Sequence, residues 1–194
     1  MQSTRARILE AAHQLLRTAG LARTTTKEIA RAAGCSEAAL YKHFSGKEEI
    51  FVRVFQERLP RLGPLLAELT ERPGEGDLEE NLTEIARRAA RFYESSVPIA
   101  ASLYAEPALL KRHREGVRKA GGGPRTPVDA LARYLRAERD AGRVRPDADP
   151  DAAASLLLGA CSQRVFLLDP DGDPGEPLEE FARRMARAVL HGVG

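Results

Sequence analysis

Three observations predict an all-α fold of about nine to ten helices. Apolar residues recur at three- and four-residue spacing along most of the chain, the period of a helix with one buried face. Helix-starting and helix-ending residues bracket those segments. No segment shows the apolar–polar alternation of a half-buried strand, and no internal repeat is visible.

Ile8, Ala12, Leu15, Leu16 and Ala19 make the first stripe, and Gly20 stands where a helix C-cap belongs. Thr25 with Glu28 three residues on forms a capping box, opening a short helix around Ile29, Ala30 and Ala33 that Gly34 ends. Ser36 caps the next short helix, which carries Leu40 inward. From Lys47 a long helix shows Ile50, Phe51, Val54, Phe55, Leu59, Leu62, Leu65, Leu66 and Leu69. Pro60 is expected to kink or break it, because the ring removes a donor and clashes with the preceding turn.

The stretch ERPGEGD, residues 71–77, reads as a loop. Leu78, Leu82, Ile85, Ala89, Phe92 and Tyr93 mark another amphipathic helix, expected to stop near Pro98. Residues 99–104 are a short apolar segment, and Pro107 resets the chain. KRHREGVRKAGGGPRTP is basic and then glycine-rich, a helix running into a loop. Thr126 and Pro127 supply an N-cap and first-turn pair for a helix through Val128, Leu131 and Leu135, closed by Gly142. Asp149 and Pro150 repeat that signal before DAAASLLLGACSQRVFLL, and a last helix carries Leu178, Phe181, Met185, Val189 and Leu190.

Composition narrows the function classes. Charged residues at 30% and hydrophobic residues at 43% are ordinary for a globular chain of 194 residues. No apolar run approaches the ~20 residues needed to span a bilayer, and the N-terminus lacks the apolar stretch of a secretory signal. A cytoplasmic protein is expected. Two distant cysteines, Cys35 and Cys161, make neither a disulfide framework nor a zinc site. His13, His43, His113 and His191 are scattered with no helical metal-binding pair, and AGGGP follows no strand and lacks a P-loop lysine. No metal, no cofactor and no enzymatic activity are expected. The net charge of +2 divides unevenly: residues 1–60 hold ten Lys and Arg against six Asp and Glu. Positive charge therefore gathers at the end that would meet a polyanion.

That end also carries the most specific pattern. A capped short helix, a small-residue turn and a second capped short helix over residues 25–44 have the layout of a helix-turn-helix. Ile29, Ala30, Ala33 and Leu40 would hold the two helices across the turn. The second helix then presents Glu37, Ala38 and Lys42 outward, with Ala39 and Tyr41 beside them, and its short side chains would admit the backbone to a major groove. Thr25, Thr26, Tyr41, His43 and Lys47 are donors suited to phosphates. A solvated helical hairpin is the bland alternative.

TTTKEIARAAGCSEAALYKHFSGKEEIF, in this setting, resembles the DNA-binding motif of TetR-type transcriptional regulators, over about residues 5–55. The resemblance implies a three-helix helix-turn-helix domain at 1–50 and a larger helical ligand-binding and dimerisation domain at 51–194. By position, Thr25 opens the first motif helix, Ser36 caps the recognition helix, and Tyr41, His43 and Lys47 look like backbone contacts. Glu37, Ala38, Ala39 and Lys42 occupy the positions that face bases. Cys35 stands where the family usually has valine, Ala38 where glycine is common and Ala39 where a hydroxyl residue is common. Gly46 replaces a more usual polar residue.

The same resemblance implies a homodimer on a palindromic DNA operator and a small-molecule effector that releases it. Residues 150–168, apolar on nearly every face, and 178–190 are the expected dimer helices; a buried monomer core is the alternative. Phe92, Tyr93, Leu103, Tyr104, Leu109, Cys161, Arg164 and Phe166 are the candidate effector-pocket residues, on helices expected around the domain centre. A largely apolar effector is expected. The basic run Lys111, Arg112, His113, Arg114, Arg118 and Lys119 would suit an acyl-CoA-like anion, although such a run is more commonly a solvated helix face. The rival from another class is a constitutive DNA-binding adaptor that recruits a protein partner without an effector.

Overall fold

The computed structural model describes residues 2–57, 62–104, 107–119, 122–168 and 175–192; at positions 22, 55, 56, 98, 99, 102, 103, 108 and 109 it describes the backbone alone. Among these residues the chain forms eleven helices and no strand. They are α1 (Thr4–Thr18), α2 (Gly20–Arg23), α3 (Thr26–Ala32), α4 (Glu37–Tyr41), α5 (Lys47–Glu57), α6 (Gly63–Glu71), α7 (Leu78–Tyr104), α8 (Pro107–Lys119), α9 (Thr126–Asp140), α10 (Pro150–Leu167) and α11 (Leu178–His191). The fold is all-α, as its periodicity predicts.

The segment from Lys47 forms α5 and α6; Pro60, expected to kink or break it, lies outside the described residues, as does Leu59. Two details differ from expectation. Position 98 does not end its helix, because α7 continues to Tyr104. A proline's clash is with the turn before it, where Ser96 is buried, and does not by itself stop a helix. The cap of α9 falls one residue earlier than expected: Arg125 is the N-cap, without a side-chain bond, and Thr126 is the first helical residue. Asp149, by contrast, caps α10 as its sequence predicts, accepting from the amides of Asp151 at 2.9 Å and Ala152 at 3.1 Å.

The chain packs as two compact units, residues 1–59 with 95–123 and residues 60–94 with 124–194. The first has a core of Ile8, Leu9, Leu16, Leu21, Ile29, Leu40, Phe44, Ile50, Phe51 and Val54. Leu110 of α8 packs against it. α8 approaches α5 closely at Gly116, where a Cβ would lie 2.9 Å from Val52 Cγ1. The second unit buries Leu66, Leu82, Ile85, Leu131, Tyr134, Leu135, Leu157, Leu158 and Phe181.

Within that second unit α10 has one face buried through Ala154, Leu157, Leu158 and Cys161. Its other face leaves Leu156 at 69%, Phe166 at 73% and Leu167 at 72% exposure. Three large apolar side chains on one exposed helix are unusual for a surface that stays in water.

Candidate nucleic-acid interface

The reading hairpin is built by local bonds. The Thr25 hydroxyl accepts from the Glu28 amide at 3.2 Å, and the Glu28 carboxylate accepts from both the Thr25 amide and hydroxyl at 3.0 Å. Those bonds hold the Glu28 carboxyl below the usual glutamate range, the Thr25 amide acting most. α3 ends in a Schellman motif: the Cys35 amide donates to Ala30 O at 3.0 Å and the Gly34 amide to Arg31 O at 3.2 Å. Gly34 sits at φ +63, a conformation that a side chain resists. The chain reverses there within two residues, and Ser36 Oγ accepts from the Ala39 amide at 3.1 Å to start α4.

This geometry buries Leu40 and Phe44 and turns the rest of α4 outward. Ser36, Glu37, Ala38, Tyr41, Lys42 and His43 are exposed and Ala39 is half-buried. Thr25 is exposed and Thr26 half-buried at the start of α3. Nine of the ten residues predicted to touch DNA therefore lie on or beside α4 and at the N-terminus of α3, and the tenth, Lys47, opens α5. Lys47 is partly committed elsewhere: its Nζ donates to Leu21 O at 2.9 Å and lies 5.4 Å from the Phe51 ring centroid.

One link across the hairpin is not readable from local spacing. Thr26 Oγ1 donates to Glu37 Oε1 at 2.8 Å and lies 3.4 Å from the Tyr41 hydroxyl, joining α3 to α4 on the outward face. Eleven residues separate Thr26 from Glu37. Two further supports flank the hairpin, the first non-local and the second local. The Arg5 guanidinium grips the Glu57 carboxylate at 2.8 and 2.6 Å and stacks 5.5 Å from the Phe44 ring centroid. Ser45, just before α5, gives the Glu49 carboxylate its amide at 2.7 Å and its hydroxyl at 2.8 Å, which hold that carboxyl below its usual range.

The candidate pocket residues divide. Phe92 and Tyr93 meet edge to face with centroids 5.2 Å apart, and Tyr93 packs on the second unit's core. Cys161 is buried, with its thiol on Ala86 O at 3.4 Å and its pKa pushed up to about 12 by burial. Arg164, 8% exposed, pairs with Glu94 at 3.3 Å and lies 4.9 Å from the Phe181 ring centroid. A cleft of about 280 Å³ between α10 and α11 is lined by Arg164, Leu167, Phe181, Arg184 and Met185 among others.

Tyr104 and Phe166 depart from the expected positions around a domain centre. Tyr104 is 68% exposed and belongs to the first unit, and Phe166 is 73% exposed; helical spacing marks a face without saying whether it is covered. The side chains of Leu103 and Leu109 lie outside the described residues. Of the basic run, Lys111, Arg112, Arg114, Arg118 and Lys119 form the exposed face of α8, with Arg112 paired to Glu48 at 3.3 Å, while His113 is half-buried. Burial, with the Arg114 charge, lowers the His113 pKa.

A capped hairpin whose second helix exposes small and donor side chains defines a helix-turn-helix DNA-binding protein. The family is set by two matches. Residues 8–54 match the model of bacterial regulatory proteins of the tetR family, and residues 80–191 match the C-terminal domain of AefR-like transcriptional repressors. The chain belongs to the TetR family of DNA-binding transcriptional regulators.

The chain is 28% identical over 172 residues to the uncharacterized HTH-type transcriptional regulator YvkB of Bacillus subtilis, covering 87% of each chain. Its fold matches the TetR family regulator PfmR of Thermus thermophilus at a TM-score of 0.64 and 26% identity, covering 97% of this chain and 99% of that one. It also matches Bacillus subtilis FadR in complex with stearoyl-CoA at a TM-score of 0.69 and 17% identity, over 97% and 99% of the two chains. Among the described residues no helix is long and apolar enough to cross a membrane.

Proposed function

We propose that this chain is a ligand-responsive cytoplasmic repressor that binds a palindromic operator as a homodimer and leaves it when a small, largely apolar effector binds. Residues 1–50 serve as the DNA-binding part and residues 51–194 as the effector-binding and dimerisation part. The observation that carries the reading is the outward face of α4. Ser36, Glu37, Ala38, Ala39 and Lys42 enter the groove and Tyr41, His43 and Lys47 take phosphates, while Thr25 and Thr26, whose hydroxyls donate to Glu28 and Glu37, brace the surface from α3.

Exposure of Leu156, Phe166 and Leu167 supports an interface through α10 and α11, since association would remove that apolar surface from water. For the effector, Phe92 and Tyr93 on α7 and Cys161 and Arg164 on α10 belong to one unit and are tied together through Ala86 and Glu94. Two proteins of this fold support an acyl-CoA class: Bacillus subtilis FadR was solved with stearoyl-CoA, and Thermus thermophilus FadR, a TetR family repressor, with lauroyl-CoA.

Titration of labelled duplexes with purified protein, at several salt concentrations, tests the reading. Binding should weaken steeply with salt, and Lys47→Ala should weaken all duplexes about equally while lowering the log–log salt slope by about one. Circular dichroism of that variant controls for loss of the Leu21 contact. Salt-insensitive binding, or none, would sink the reading. Lauroyl- or stearoyl-CoA, but not free coenzyme A, should release a selected operator. Operator binding indifferent to both would favour the adaptor function instead.

A further inference from the structure

We infer that Glu37 reads a cytosine in each operator half-site, and that Thr26 is the positioning residue which holds its carboxylate in register. The inference rests on the reading of α4 as the helix that enters the groove. Glu37 is exposed in the first turn of α4, and the side chains after it, Ala38 and Ala39, are single methyl groups. Those short neighbours let the helix approach closely enough for a glutamate to reach a base edge.

The carboxylate is already held in place. Thr26 Oγ1, on the facing helix, donates to Glu37 Oε1 at 2.8 Å and lies 3.4 Å from the Tyr41 hydroxyl. Pinning one oxygen removes rotamer freedom that a free glutamate would lose on docking. The other oxygen remains an acceptor on an exposed residue.

An ionised carboxylate only accepts hydrogen bonds, and it is repelled by phosphates, so a groove surface tolerates it only opposite a donor. In the major groove the donors are the amino groups of cytosine and adenine. The adenine amino group stands beside the N7 acceptor of the same base, which opposes a carboxylate. Cytosine presents its amino group without such an acceptor, and guanine and thymine present acceptors that repel the charge. Cytosine is therefore the base this side chain selects. Replacing the matched base should cost roughly five- to hundredfold in affinity.

Selection from a random duplex library by the full chain, followed by sequencing, tests this. The wild type should enrich a palindrome with one strongly preferred cytosine per half-site. Glu37→Ala should flatten that position alone, and Glu37→Gln should move it toward adenine, which the amide matches with two bonds. Thr26→Val should keep the cytosine but lower its enrichment, leaving the other positions unchanged. A palindrome that is identical for wild type and Glu37→Ala, or a Glu37-dependent position that is not cytosine, overturns the inference while leaving the DNA-binding reading intact. No enriched sequence for the wild type overturns both. A Thr26→Val profile equal to wild type overturns the positioning role of Thr26. Glu37 is exposed, so circular dichroism should find its variants folded.

Discussion

The α3–α4 hairpin and the junction between α9 and the loop at 72–77 are both small and polar, but they are fixed by different means. In the hairpin the capping partners are three residues apart, Thr25 with Glu28 and Ser36 with Ala39, and all of them meet water. At the junction, Glu138 is wholly buried and its partners are Arg143 on one side and Gly74 on the other. Arg143 Nε lies 3.3 Å from Glu138 Oε2 and its Nη1 donates to Glu75 O at 3.1 Å. Asn81 adds donated bonds to Glu75 O at 3.3 Å and to the Tyr134 hydroxyl at 3.0 Å. Exposed local bonds define a shape at little energetic risk. A buried carboxylate shared between Arg143 and Gly74, 64 residues away, ties distant segments of the unit together, and its loss costs more than that of an exposed cap.

Removing Arg143 should widen that difference most. Glu138 Oε2 pairs with Arg143 and accepts from the Gly74 amide, and the Tyr134 hydroxyl also interacts with this carboxyl, so Arg143 is the one cation that faces it among these partners. Arg143→Ala leaves a buried carboxylate without its counter-charge, and breaking such a pair costs about 3–5 kcal/mol. Denaturant unfolding should read a loss of that order. Adding Glu138→Gln should recover part of it, because a neutral amide needs no counter-charge. A loss below about 1 kcal/mol would mean that water reaches Glu138 freely, and the contrast between the regions would disappear.

The hairpin's own sensitive point is the backbone at Gly34. With φ at +63, Gly34→Ala places a side chain in the left-handed region at a cost of about 1–2 kcal/mol. The nearest atom to the added Cβ is the end of the flexible Arg7 side chain at 3.7 Å, so strain rather than collision sets the loss. Denaturant unfolding and operator affinity should fall together, since the same turn sets the angle of α4. Unchanged stability would show that the turn relaxes in solution.

The contrast also explains how much was legible in the sequence. Thr25, Glu28, Gly34 and Ser36 announce the hairpin because the bonds they make are within a few residues, and the apolar spacing announces the helices for the same reason. The link between Thr26 and Glu37, the grip of Arg5 on Glu57 and the burial of Glu138 depend on which segments meet, which spacing alone does not encode. Periodicity also names a face without saying what covers it. Cys161 and Arg164 are buried as a domain centre requires, whereas Tyr104 and Phe166 face outward although they carry the same helical signal. The helix also runs past position 98 to Tyr104, since a proline's clash is with the turn before it and does not by itself end a helix.

The smallest expected effect concerns the pH response of the hairpin alone. The Thr25 amide and hydroxyl hold the folded Glu28 carboxyl below its unfolded value. A carboxyl depressed in the folded state contributes stability above its unfolded pKa and loses it as pH falls through the folded one. The start of α3 should therefore loosen only on acidification below the ordinary glutamate range, and not between neutral pH and about 5. An NMR titration of the Glu28 carboxyl should give a midpoint below that of a free glutamate. In Thr25→Val the midpoint should rise but stay depressed, because the amide that acts most is retained while the hydroxyl is lost. A wild-type midpoint at the ordinary value would mean that the capping box is open in solution. The hairpin would then rest on its Schellman turn and its buried residues, and the local bonds would lose the role that separates it from the α9 junction.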